Sequence, residues 1–310
     1  MKFLLLSLTI LMGCANKKET KNMQATENIQ IEAIPIAKQF TYAVSVSAFT
    51  SYELYINDIA AEKDYDPGSQ AAIEMNPYLL GNGKHTIKLR LLPTQGRNLI
   101  DPDGYELSHF ELVKVIKNPN GRGLKYDEEI MKLPLPPMPT PLPVIELEWE
   151  VEINDLPYEL EGWKNSKVFK KEDSIAVKKQ VVAYYEELRT ILNEGNSDEW
   201  KKQNLKKRKE FWTCVYEKNS NIKENWKAIL NEVREERKGN MLPLEDYKLH
   251  FYANGRVLSL ERNKTEEFEG YDANIKGWGV LINKNKDGGV YHIGVMLHMP
   301  KGSDTFEIIR

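Results

Sequence analysis

The spacing of apolar residues changes along this chain, from every second position before about 160 to every third or fourth after Asp173 and back to strand spacing in the last third, and that order constrains what it can fold into. In the first stretch Tyr42, Val44 and Val46 alternate with smaller or polar residues. Tyr52, Leu54 and Ile56 alternate with Glu53, Tyr55 and Asn57, and Ile87, Leu89 and Leu91 with Lys88, Arg90 and Leu92. Two more runs follow at Phe110–Ile116 and Ile145–Ile153; in the second, Leu147, Trp149 and Val151 oppose Glu146, Glu148, Glu150 and Glu152. Successive side chains of a strand point to opposite faces, so each run predicts a strand with one face buried. Asn82-Gly83 and Asp103-Gly104 tolerate positive φ and predict turns. No long helical pattern interrupts them, so residues 35–160 are expected to form an all-β domain, an antiparallel sandwich.

From Leu133 to Pro143 the chain carries six prolines, which keeps the segment extended and out of any central ladder; it reads as a stiff crossover into the acidic run that follows. Beyond the polar stretch Lys164–Asp173, Val177, Val181, Tyr184, Leu188 and Ile191 fall on one face of a helix that Gly195 can end. A second helix is expected from Ser197, with Leu205, Trp212 and Val215 on its inner face. Ile222, Trp226, Ile229 and Val233 continue the stripe towards Gly239. Strand patterns return at Tyr247–Phe251, Trp278–Ile282 and Val290–Met299, with Asn254-Gly255 and Asp287-Gly288-Gly289 as turns. Residues 165–310 therefore read as an α+β domain, helices followed by antiparallel hairpins. That order is similar to cone-shaped folds of the nuclear-transport-factor-2 type, and the resemblance implies a pocket between the helices and the concave sheet.

The first fourteen residues address a different question. Lys2 precedes an apolar run, Phe3–Met12, too short to span a bilayer, and a small residue, Gly13, stands directly before Cys14. Leu11-Met12-Gly13-Cys14 resembles the lipobox of bacterial lipoproteins. The resemblance implies removal of a signal peptide, 1–13, and acylation of Cys14. The chain would then sit on a membrane of the cell envelope, facing the periplasm or the exterior. Residues 14–34 are polar and aperiodic and read as a flexible tether. Losing Lys2 moves the formal net charge from -3 to -4, a balance that does not call for a nucleic-acid partner. With Cys14 lipidated, Cys214 has no cysteine partner, and its place beside Phe211, Trp212 and Val215 reads as a buried, inert thiol.

Signatures of catalysis are missing from the sequence. It holds no Gly-x-Ser-x-Gly elbow, no His-Glu-x-x-His, no phosphate-binding Gly-Lys-Ser/Thr loop and no paired-glycine dinucleotide fingerprint. His292 and His298, six strand residues apart, would lie about 20 Å from one another, too far to share a metal ion. Asn283-Lys-Asn285-Lys-Asp287-Gly288 departs from a calcium loop at its first ligand and at Gly294 in the twelfth position. Glu266, Glu267 and Glu269 read as a solvated acidic loop. No catalytic residue, cofactor or metal is assigned. The one dense charge run is Lys201, Lys202, Lys206, Lys207, Arg208 and Lys209, which can steer an acidic protein partner, sit against anionic lipid, or simply solvate a helix face. The expected function is that of a membrane-anchored binding protein for a protein partner, in the manner of immunity proteins or envelope scaffolds. The alternative is a hydrolase or carbohydrate-binding protein using the pocket of the second domain.

Overall fold

The computed structural model describes residues 29–310 except 67, 118–123, 264, 265, 269, 270, 274 and 287. The signal segment 1–13, Cys14 and the tether as far as residue 28 lie outside the described residues, as does Glu269. Ile31–Arg310 form one compact unit. Its first secure anchor is Ile31, which is buried and whose backbone N–H and C=O both bond the Asn219 side chain, at 3.0 and 2.8 Å.

The alternating runs become antiparallel strands in two four-stranded sheets. One has the order β4-β1-β6-β7, from β1 (Phe40–Ala48), β4 (Ser69–Glu74), β6 (His109–Lys117) and β7 (Leu124–Lys132). The other is β3-β2-β5-β8, from β2 (Ser51–Ile56), β3 (Ile59–Asp64), β5 (Gly83–Leu92) and β8 (Ile145–Ile153). Val44 and Val46 of β1, Leu54 and Ile56 of β2, Ile87 and Leu89 of β5 and Phe110 of β6 belong to one buried apolar cluster. The proline segment crosses from the first sheet to the second, because β7 ends in one and β8 begins in the other. It is held by Tyr105 Oη donating to the Pro136 carbonyl at 2.6 Å and by Ile100 N–H donating to Leu142 at 2.9 Å.

Asp103-Gly104 does not make the expected turn; both lie in a short helix, α1 (Pro102–Leu107). Pro102 suits the first helical position, and a Cβ on Gly104 would stand 2.6 Å from the Phe49 carbonyl oxygen, so close packing rather than positive φ explains this glycine. Glu53 and Tyr55 also depart from expectation. The alternation assigns them to solvent, yet Glu53 is buried and Tyr55 half-buried, because the last third of the chain covers that face of β2.

Three helices follow: α2 (Ser174–Asn193), α3 (Ser197–Cys214) and α4 (Asn219–Glu232). Gly195, at φ +70°, ends the first turn-off, and the Asn196 side chain caps α3 by accepting from Glu199 N–H at 3.2 Å. The inner face of α3 is Trp200, Asn204, Trp212 and Cys214, whereas Leu205 is only half-buried. The closing sheet is β16-β15-β10-β9, from β9 (Tyr247–Tyr252), β10 (Val257–Arg262), β15 (Leu297–His298) and β16 (Glu307–Ile308). Two hairpins form separate two-stranded sheets, β11–β12 (Glu266–Phe268 and Tyr271–Ala273) and β13–β14 (Ile282–Lys284 and Val290–His292). The long runs expected at 278–282 and 290–299 are thus broken into shorter strands.

The stretch between the two parts is pinned along its length. Gly162 N–H donates to Glu210 at 2.9 Å, Lys167 N–H to Met299 at 2.7 Å and Phe169 N–H to Gly255 at 2.9 Å. Gly255 sits at φ +80° with the Phe169 carbonyl oxygen 2.1 Å from where a Cβ would be, so only glycine allows this joint. Asn76, fully buried, ties β1 to the end of α3: its Oδ1 accepts from Tyr42 N–H at 3.0 Å and its Nδ2 donates to Cys214 C=O at 3.1 Å.

Candidate ligand-binding cleft

Charge buried between β2, β3 and β10 organises the centre of the molecule. Lys63 is ion-paired with Glu261, their side chains 8% and 5% exposed. Lys63 Nζ also donates to Tyr252 Oη at 2.9 Å, and that hydroxyl donates to Glu261 Oε1 at 2.7 Å. Burial and the Glu261 charge beside it raise the Tyr252 hydroxyl far above its ordinary value, so it stays a donor. A second knot adjoins the first. Glu53 accepts from Tyr55 Oη at 2.6 Å, Tyr65 Oη at 2.7 Å and Arg90 Nη1 at 2.6 Å. Burial alone would raise the Glu53 carboxyl, but the two phenol hydrogen bonds and the charges of Arg90 and Lys63 hold it below the usual carboxylate range. Glu62, in contrast, is raised by burial.

A cleft of about 400 Å³ opens beside this centre, lined among others by Glu62, Lys63, Lys207, Phe211, Glu261 and Arg310. Trp278 and His292 line it as a stacked pair, ring centroids 4.8 Å apart. Arg310 is fixed from three sides. Its Nε donates to Pro77 C=O at 2.6 Å and its Nη1 to Glu210 Oε2 at 3.1 Å and Ile309 C=O at 2.8 Å, while the guanidinium lies 5.1 Å from the Trp163 ring centre. Among the described residues its buried Nη2 has no hydrogen-bond partner. Lys207 Nζ donates to Gly294 C=O at 2.8 Å. Burial, with Arg208 and Arg310 nearby, pushes that ammonium down to about 7.

The structure distributes the basic run of α3 over several environments. Lys201 lies over the Trp226 ring at 5.7 Å, Lys202 pairs with Glu199 at 3.3 Å and Lys206 with Glu307 at 3.5 Å. Arg208 buries its Nε, which has no partner among the described residues, and only Lys202 and Lys209 of the six are exposed. Lys207 alone reaches the cleft.

Two other groupings have the residue types of nucleophilic catalysis. Ser166 Oγ stands 2.8 Å from His298 Nδ1, and His298 Nε2 is 3.4 Å from Glu307. Ser166 is 0% exposed and His298 1%, and neither lines the cleft, so no substrate reaches the hydroxyl. Burial pushes the Cys214 thiol up to about 12, and it donates to Phe211 C=O, which leaves no thiolate at neutral pH. His292 and His298 fall in different strands, and no group of three His, Cys, Asp or Glu able to hold a metal ion occurs among the described residues.

Sequence reading found Lys207 but not Arg310, Lys63 or Glu261. None of the three carried a signal: Lys63 stands between Glu62 and Asp64, and Glu261 directly before Arg262, as in any solvated charged run. No protein family matches the chain, nor does any curated protein or solved structure.

Proposed function

We propose that this protein is a lipoprotein of the cell envelope, anchored through Cys14, that acts by binding and uses the cleft beside Lys63, Lys207 and Arg310 as its recognition site. The lipobox-like residues 11–14 support the anchor. One observation carries the preference for binding over catalysis: the two nucleophile groupings, Ser166–His298 and Cys214, are closed off, while the cleft walls carry fixed, internally paired polar groups. Walls held rigid in this way recognise a ligand at low entropic cost. The shared apolar cluster further supports face-to-face packing of the two four-stranded sheets, a β-sandwich acting as a rigid base for the cleft.

A second reading concerns the outer side of α3, where the exposed Lys202 and Lys209 could meet an acidic protein partner. The cleft reading is tested with the purified folded part and a panel of chromogenic esters, glycosides and peptides. No turnover above buffer is expected. Turnover that Glu62→Gln or Ser166→Ala abolishes would overturn it.

A further inference from the structure

The strand β8 ends its sheet: the order β3-β2-β5-β8 leaves one side of it without a neighbouring strand. In an antiparallel strand every second residue turns its N–H and C=O away from the paired side. Along residues 146–152 those groups bond to no other segment among the described residues. Such an edge is a template for another strand, and proteins commonly blunt it with bulges, lysine, proline, a short strand or a cover. The edges β7 and β3 show such devices. β7 has two register shifts against β6, and β3 is tied to the last third of the chain by Lys63, which pairs with Glu261 and donates to Tyr252 Oη. β8 instead runs nine residues in unbroken register with β5 and contains neither proline nor lysine.

The two faces of β8 define what fits beside it. One carries Glu146, Glu148, Glu150 and Glu152, all exposed; the other carries Leu147, Trp149 and Val151, half-buried against the apolar cluster of the two sheets. On the paired side β5 sets Lys84, Thr86, Lys88 and Arg90 opposite those glutamates. Arg90 and Lys88 reach Glu146 at 2.6 and 3.4 Å, while Glu148, Glu150 and Glu152 have no ion pair among the described residues. A second copy of the strand does not fit. Antiparallel pairing of two β8 strands about Trp149 sets Glu148 against Glu150 and Glu146 against Glu152, and like charges directly opposite repel.

We propose that the free edge of β8 is a docking site for an extended basic segment of a partner protein, which joins the sheet as a further strand. The partner repeats what β5 already does on the other side. Its main chain pairs along the edge, and lysine or arginine at every second position lies beside Glu148, Glu150 and Glu152. Apolar residues between them extend the face of Leu147, Trp149 and Val151. The surface is separate from the cleft, none of whose lining residues belongs to β8.

The test uses the full folded protein and two synthetic peptides as long as β8 and of one composition. In the first, lysine and valine alternate; in the second they form two blocks. Fluorescence polarisation reads affinity, and amide hydrogen exchange reads main-chain pairing. The alternating peptide is expected to bind and to slow exchange in 146–152, with the blocked peptide about tenfold weaker or more. Glu148→Lys combined with Glu150→Lys lies on an exposed face, where substitutions barely alter stability. It should weaken the alternating peptide by about tenfold or more, and a peptide alternating glutamate and valine should then bind the variant better than it binds wild type. Equal binding of the two lysine peptides would reduce the effect to charge attraction and overturn the docking site. So would binding without slower exchange in 146–152, or no binding at about 1 mM. Exchange there that slows as protein concentration rises, with no peptide present, would give the edge to a second copy and overturn the proposal as well.

Discussion

Replacing Glu261 by Ala is expected to destabilise the protein by about 3–5 kcal/mol, the range for removing one partner of a buried ion pair. Lys63 would be left charged in a nearly dry place, 8% exposed, and the Tyr252 hydroxyl would lose its acceptor. For a chain of this size that corresponds to a fall in Tm of about ten degrees, measured by calorimetry and by urea denaturation. Glu53 cannot compensate, because its oxygens already serve Tyr55, Tyr65 and Arg90. The companion variant is Lys63→Met with Glu261→Leu. Removing both charges together should recover most of the loss, since well-packed apolar replacements of a buried pair are often neutral or better. A loss within about 0.5 kcal/mol for Glu261→Ala alone would mean the pair is open to solvent and contributes as surface pairs do.

Cys14→Ser is expected to move the protein from the membrane fraction to the soluble fraction, or to leave it as an unprocessed precursor. No helix among the described residues is long and apolar enough to cross a membrane, and the apolar run Phe3–Met12 is removed if the lipobox is read. Acyl chains contribute about 0.8 kcal/mol per buried methylene, so two or more chains on one cysteine hold a protein firmly and their loss releases it. Mass spectrometry of wild type should find an N-terminal lipopeptide beginning at Cys14. A mature chain that keeps Phe3–Gly13, or a Cys14→Ser protein still in the membrane fraction, would contradict the anchor.

Much of the fold was legible because a strand or helix writes its period into the sequence wherever one side is wet. The β8 run shows this: Glu146, Glu148, Glu150 and Glu152 are exposed, and Ile145 and Ile153 are buried. The strand β2 shows where it fails. Glu53 and Tyr55 alternate with apolar residues in the pattern of a solvated face, but a distant part of the chain covers them, and period alone cannot reveal a second cover. The short helix at Pro102–Leu107 was missed for a related reason, since Gly104 is required by Phe49, fifty-five positions earlier. On α3, lysine density suggested a single charged face, whereas the helix turns Lys207 inward and Lys209 outward within one turn. The site proper was hardly legible at all. Arg310 and Lys207 are 103 positions apart, and only the path of the chain after β15 brings them to the same cleft.

The central claim is that the cleft binds a small ligand and releases it unchanged. Its most direct test is to incubate wild type and Lys207→Met with a small-molecule extract of the envelope and follow both the bound and the free compounds by mass spectrometry. At least one compound should be retained by wild type, at markedly lower occupancy in Lys207→Met, and recovered with its mass unaltered. A compound consumed with a product appearing in its place, or equal retention by the two proteins, would contradict the account.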